Sequence, residues 1–486
     1  MSPRSTPPRI PLEPDEEIED DAEYLLEGEP FEIVSDHSDQ EVASDNEAEM
    51  QDVSPLPDDS ILLLQKHQES VFCVAVHPSA KYIVSGAQDH TAVIWDATTG
   101  VDVFTCTGQD LPAKRHEDSV TNVAFSPGDG KFLATGDMAG GVQIWSSDAS
   151  TPGGWSLHRS LTFSDLLWLK WWRGPTSSNQ KAGPLVLLTG SVDGIVSACL
   201  VTSRANDDRP LKYLVGPGSA AIGAEIVPST YATERPYIAV MYSDGDFRVW
   251  DLKTEQSVLT ATLTPPSQSP LEGDDAMDGE ASAGYLCMAA PHSVPGRECI
   301  DIAAVGSFEQ ITIIPCKPPP SDETGSKKLP ANKLSCISLE SAGTVEALEF
   351  SWTHPFLAFG TVSGLIGIYD TSCMRLRQQW TYTDPTSGTD MGFGITALKW
   401  SQTEPVFFTS TLAATVVSWS ALSRELGDGG VGVPLAVWRG HTHAVLDIVL
   451  APPIMGSRPA FIASASDDAT VRLFDLTGPT SNDCDT

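Results

Sequence analysis

The sequence predicts an all-β fold: a single ring of eight four-stranded sheets, an eight-bladed β-propeller, behind a disordered acidic tail. The first observation is texture. From residue 61 onward, short runs rich in Val, Ile, Phe, Trp and Thr alternate with Gly, Asp, Ser and Pro turns, and no long helical period interrupts them. The second is repetition. A strand-like motif ends at Trp95, Trp145, Leu200, Trp250, Ile314, Tyr369, Trp419 and Phe474, at spacings of 50, 55, 50, 64, 55, 50 and 55 residues. A period of that length, one per four-stranded sheet, is the mark of a propeller. The third is an unmatched strand, Ile61–Leu64, that stands before the first repeat and has no sheet of its own.

Taken in chain order, residues 1–55 read as disordered. They are rich in Pro, Ser, Asp and Glu and too poor in bulky apolar side chains to offset chain entropy. Residues 1–60 carry 20 Asp and Glu against Arg4 and Arg9, half of the formal net charge of −36 over 486 residues. Residues 56–486 then read as one propeller. Strong repeats begin at His67, His116 and His441, with the pattern of YIVSGAQDHTAVIWD ending at Asp96 and FIASASDDATVRLFD ending at Asp475. These are units of the GH…WD type. Weaker copies, such as YIAVMYSDGDFRVWD and FLAFGTVSGLIGIYD, fill the interval. Polar insertions at 264–283, 317–333 and 423–434 account for uneven spacing, and loop insertions cost little free energy.

Closure follows from counting strands. The residues after Asp475 are mostly Gly, Pro, Ser and Asp and make a poor outer strand. Strand 61–64 is therefore expected to pair as the outer strand of the last blade. That pairing would shut the ring and remove an exposed edge.

Within the strong repeats a His, a Ser or Thr, an Asp and a Trp recur. In the first blade these are His67, Ser85, Asp89 and Trp95; in the last, His441, Ser464 and Asp468, with Phe474 in place of the indole. The set suits a buried chain of hydrogen bonds from carboxylate to imidazole to hydroxyl to indole. Blade two keeps His116 and Thr135 but has Ala139 where the turn Asp would stand, so its network is expected to be broken or water-filled. The Ser, His and Asp of these sets resemble a hydrolase triad, but a nucleophile and its base would occur once rather than around a ring. No nucleophile elbow, phosphate loop or H-E-x-x-H motif occurs, and the ten His are not gathered at metal-ligand spacing. No enzyme activity, cofactor or metal is expected.

Charge narrows the partner. With 65 acids against 29 bases, the chain is a poor fit to nucleic acid or an anionic membrane, whereas a basic polypeptide suits it. The nine scattered Cys, with no CxxC pair, read as reduced core residues and point to the cytosol or nucleus. No apolar signal core or membrane-length run is present. Propeller ligands usually meet the loops that lead into the first strand and join the second and third strands. Those loops offer Glu69, Glu117, Asp118, Asp165, Asp244, Glu346 and Asp467, so several blades aim acid at one annulus. Such a ring favours Lys and Arg through charge-assisted hydrogen bonds.

The segment EDSVTNVAFSPGDGKFLATGDMAGGVQIW (Glu117–Trp145), the run Asp165–Trp172, YSDGDFRVWDLK (Tyr242–Lys253) and the acidic N-terminal stretch together resemble the WD-repeat family of angio-associated migratory cell protein and its fungal ribosome-assembly relative. The resemblance spans essentially the whole chain in the same order. It implies an eight-bladed WD-repeat β-propeller that is a dedicated chaperone, not an enzyme. The implied client is the basic N-terminal segment of a newly made large-subunit ribosomal protein, the counterpart of bacterial large-subunit protein sixteen, captured during translation and delivered to the pre-60S particle. It also implies that the acidic face binds it, carried here by Glu69, Asp118, Asp165, Asp244, Glu346 and Asp467. A general WD-repeat scaffold or adaptor is the alternative reading.

Overall fold

A computed structural model describes residues 57–476, apart from 107–115, 149–153, 176–182, 205–210, 230–235, 264–283, 295–299, 319–324, 340–341, 383–393, 423–431 and 454–458. The tail expected over 1–55 lies outside the described residues, as do insertion 264–283 and parts of the other two. Eight antiparallel sheets follow one another along the chain. Their inner strands are Val71–Val76, Val120–Phe125, Leu166–Arg173, Ala221–Ile226, Cys287–Ala289, Val345–Phe350, Ile395–Trp400 and Val445–Leu450. In sequence order these define blades one to eight. Blade four carries a fifth, parallel strand, Lys327–Lys328, supplied by the insertion at 317–333.

The eighth sheet takes its outer strand from the other end of the chain. Leu62–Gln65 pairs antiparallel with Thr470–Asp475, with Leu62 opposite Leu473 and Gln65 opposite Thr470. Leu64 is 1% exposed. Just before this strand, Asp58 forms an ion pair with Arg472, and Asp59 exchanges backbone and side-chain hydrogen bonds with Arg439 at 2.9 and 2.8 Å. Two carboxylates counted with the acidic N-terminal stretch thus help to hold the ring closed.

The core is not central but divided among the joints. Eight buried clusters lie one at each blade-to-blade interface. They run from Val84, Ile94, Leu133 and Trp145 between blades one and two, to Leu64, Val71, Trp95, Ala463 and Leu473 between blades eight and one. The close fit depends on glycine in the second strands. A Cβ on Gly86 would lie 2.7 Å from Val120 Cγ1, and one on Gly360 would lie 2.4 Å from Ile395 Cγ2. In both places the first residue of the next inner strand occupies the space that a side chain would take.

The hydrogen-bond chain of blade one forms as read. Trp95 Nε1 donates to Ser85 Oγ (2.9 Å), Ser85 Oγ lies 2.8 Å from His67 Nε2, and His67 Nδ1 lies 3.0 Å from Asp89. In blade eight, His441 bridges Ser464 (2.7 Å) and Asp468 (2.9 Å), and Phe474 packs edge-on to the imidazole. Ser85 and Ser464 are fully buried, which suits structure rather than nucleophilic attack.

Blade two corrects the expectation of a broken network. Asp137, at the end of the second strand, supplies the carboxylate: Oδ2 lies 2.7 Å from His116 Nδ1, while Thr135 joins His116 Nε2 (2.8 Å) to Trp145 (3.2 Å). The cause is local. Blade one has Thr91 beside its carboxylate, whereas blade two has Gly141, where a Cβ would lie 2.4 Å from Asp137 Oδ2. The missing side chain leaves room for a carboxylate to approach from the strand instead of the turn, and the Gly141 N–H donates to it at 2.7 Å.

Candidate protein-binding face and the channel beneath it

At one end of the ring, the turn joining the second and third strands folds back on the loop leading into the inner strand. The same backbone bond recurs. The N–H groups of Gln88, Met138, Val192, Ser243, Val362, Leu412 and Asp467 donate to the carbonyls of Ser70, Ser119, Asp165, Ala220, Thr344, Gly394 and Ala444, at 2.9–3.0 Å. Blade five departs from this pattern. The Glu309 N–H donates to Gly343 O of the following blade at 2.9 Å. These paired loops form the face on which the sequence placed its acids.

The six carboxylates come from the same end of the ring but differ in availability. Glu69 and Asp165 are exposed. Asp244 is exposed and closes its turn through the Asp246 N–H at 2.9 Å. Asp118 is half-buried and accepts the Ser119 N–H at 2.6 Å. Asp467 is exposed and accepts a hydrogen bond from the Ser70 hydroxyl, so it also ties blade eight to blade one. Glu346 sits one residue inside its inner strand, half-buried, and burial raises its pKa. Five tryptophans near the inner strands are joint packing. Trp168, Trp172 and Trp400 are buried, Trp171 packs at the blade two–three joint, and Trp352 stacks on His292 at 3.7 Å.

Below this face, the wall of the channel carries charges that sequence reading did not pick out. Lys170 Nζ pairs with Glu225 Oε1 at 2.6 Å across blades three and four. Glu349 Oε2 accepts the Trp400 N–H at 2.7 Å across blades six and seven. Asp447 Oδ2 accepts the Val74 N–H at 3.1 Å across blades eight and one. Lys399 lies within the field of Glu349, Asp447 and Glu225, which together raise its pKa against the opposing effect of burial. Burial pushes Glu349 up to about 7, against the pull of Lys399. His292, whose Nε2 lies 3.8 Å from Glu349 Oε1, is pushed down to about 4 by burial, with Lys399 adding to the shift. A visible signal existed: the fifth residue of the inner strand, apolar in blades one, two and eight, is Lys170, Glu225, Glu349 or Lys399 in blades three, four, six and seven.

These bonds have one mechanical consequence. Inner strands of neighbouring blades do not share a backbone ladder, so side chains stitch the joints. Trp171 Nε1 donates to Ala124 O, Trp168 Nε1 to Ala221 O, Thr396 Oγ1 to Val445 O and Cys287 Sγ to Val345 O. Burial pushes the Cys287 and Cys73 thiols up, keeping them protonated as weak donors. Among the described residues, no group of His, Cys, Asp or Glu is placed to hold a metal ion.

The WD40 model (WD domain, G-beta repeat) matches residues 59–96, 109–146 and 432–475, which take in blades one, two and eight and the closing strand. The chain is a WD-repeat β-propeller. Human angio-associated migratory cell protein is 28% identical to this propeller over 428 residues, covering 87% of this chain and 81% of the human protein. The ribosome assembly protein SQT1 of Saccharomyces cerevisiae is 22% identical over 455 residues, covering 91% of this chain and 92% of SQT1. The crystal structure of Chaetomium thermophilum Sqt1 bound to the N-terminus of the ribosomal protein L10 superposes with a TM-score of 0.63. It is 19% identical and covers 86% of this chain and all of that one.

Proposed function

We propose that this WD-repeat propeller is a dedicated, non-enzymatic chaperone. It holds the basic N-terminal segment of a newly made large-subunit ribosomal protein and assists its delivery during 60S assembly. The observation that carries the reading is full-length similarity to a ribosome assembly protein whose Chaetomium relative is bound to the N-terminus of ribosomal protein L10. The chemistry of this chain supports it. Exposed Glu69, Asp165, Asp244 and Asp467 lie on one face of a strongly acidic protein. A free ribosomal protein has cationic segments shaped to meet RNA. An acidic face masks them with charge-assisted bonds and speeds their capture. Handover to rRNA then requires only that phosphate compete for the same Lys and Arg side chains.

In this reading the protein works in the cytoplasm, where the client is made, and follows it towards the nucleus. The test is affinity purification of the tagged chain after RNase treatment. One near-stoichiometric basic large-subunit protein is the expected result. A spread of signalling or ligase subunits would instead make the chain a general adaptor.

A further inference from the structure

Seven of the eight inner strands share one irregularity. Their pairing with the second strand slips by one residue after the first position. In blade one, Val71 lies opposite Ala87 but Cys73 lies opposite Gly86, and Phe72 is left over. The slip recurs at the same place in blades two, three, four, six, seven and eight. In blade five the strand starts at Cys287, opposite Gly306. Leu286 takes the equivalent place there, its N–H donating to Gly306 O at 3.1 Å. A β-bulge leaves one residue out of the ladder and re-aims its side chain. Repeated at one level around a ring, it makes a collar at the mouth of the channel. Five of its members are apolar: Phe72, Leu167, Ile222, Leu286 and Leu446. Ile222 leans on the joint between blades four and five, but the other four belong to none of the eight buried clusters. Leu167 and Leu286 are 38% and 52% exposed, whereas the residues just before them, Leu166 and Tyr285, are buried. Blades two and seven supply Thr121 and Thr396, and the Thr396 hydroxyl is committed to Val445 O. The one charge in the collar is Glu346 of blade six.

Charge beneath the collar is out of balance. Among the described residues, the channel wall holds Glu225, Glu349 and Asp447 against Lys170 and Lys399. Arg173, at the far end of its strand, is taken by Asp129. Lys170 is committed to Glu225, which leaves Lys399 to serve both Glu349 and Asp447. His292 adds no charge near pH 7, because burial holds its imidazole neutral. With Glu346 above them, four carboxylates meet two ammonium groups. Burial raises the pKa of Glu346, Glu349 and Asp447, and Lys399 does not reverse the shift of the latter two. We infer that the collar is a socket for one long cationic side chain, a Lys or Arg of the bound basic segment. Its methylene stem lies against Phe72, Leu167, Leu286 and Leu446, and its charged head is turned to Glu346 and the carboxylates below. This deepens the chaperone reading and rests on it. A wholly apolar side chain would suit the walls but would strip water from Glu346 without replacing it. Lys and Arg combine an apolar stem with a charged tip, and the acids of the outer loops accept any of them. A single central socket takes only one, so it fixes which residue of the segment sits at the channel mouth.

The test uses the full chain and a synthetic peptide, the N-terminal segment of the same organism's ribosomal protein L10. A set of peptide variants replaces each Lys or Arg in turn by Gln. With the wild-type chain, one member of the set should lose at least about tenfold in affinity. The others should lose about two- to threefold, as single exposed ion pairs do. In the chain variant Glu346→Gln, and separately in Leu167→Ser combined with Leu286→Ser, the outlying peptide should fall into line with the rest. Even losses across the whole set for the wild-type chain would overturn the socket and leave the acidic face standing. A peptide that remains the outlier in either chain variant would overturn the collar as its seat. Failure of the wild-type chain to bind the parent peptide would overturn the chaperone reading itself. Circular dichroism of both chain variants, expected to match the wild type, separates lost docking from lost folding.

Discussion

At the residue scale, Asp137 shows what a single carboxylate does in a blade. It accepts from His116 and from the N–H groups of Glu117 and Gly141, all in a site where it is 1% exposed. Asp137→Ala strands those donors without water, and the loss is about 2–4 kcal/mol in urea unfolding. Ala139→Asp, which would restore the residue expected from blade one, should change stability by less than about 0.5 kcal/mol because the network is already complete. This network was hidden in the sequence because the compensating change is a missing side chain at Gly141, two residues beyond the position being compared. The channel pair offers a second test. Glu349 moves from 4.5 up to about 7, so the native state keeps a proton that the unfolded chain releases, and its contribution to stability falls as pH rises through that window. His292 moves from 6.5 down to about 4, so its contribution is lost as pH falls through that window. The two slopes oppose and largely cancel. Glu349→Gln should unmask a urea midpoint that climbs between about pH 5 and 6.5, and His292→Phe a midpoint that declines over the same range.

At the scale of the element, strand Leu62–Gln65 does the most for its length. It completes the last sheet, buries Leu64 in the joint between blades eight and one, and follows the Asp58 and Asp59 clasps. This strand was legible because a repeat count left it without a sheet of its own. The clasps were not, since their partners Arg472 and Arg439 lie about four hundred residues away in sequence. Leu64→Ala should cost about 2–4 kcal/mol, the range for a buried leucine that leaves a cavity. Chemical denaturation should still show one transition, because opening this joint exposes an edge that the adjoining blades depend on. A separate early transition would mean that the clasped strand is an accessory rather than the closure. The inner strands teach the converse lesson. Their apolar alternation predicts core, but whether Lys170 meets Glu225, or Lys399 falls within the field of Glu349, depends on which blades become neighbours.

At the scale of the whole molecule, the ring converts scattered loops into one surface. Glu69, Asp165 and Asp244 are far apart in the chain and come to one face only because eight joints close. Repeat spacing made that face legible, since each acid occupies one of the two loops that every blade turns to that end. The exposed apolar side chains on it, Met138, Val192, Phe308, Val362 and Leu412, were not legible, because they read as ordinary strand-end residues until their exposure is known. The central claim is that the acidic face captures a basic ribosomal N-terminus. Its most direct measurement is the affinity of the L10 N-terminal peptide across a salt series, for wild type and for Glu69→Lys, Glu117→Lys and Asp165→Lys combined, three exposed positions. The account predicts at least a tenfold loss of affinity, roughly 1.4 kcal/mol or more, with a shallower dependence on salt in a fully folded variant. An unchanged affinity and an unchanged salt slope in that variant would contradict it.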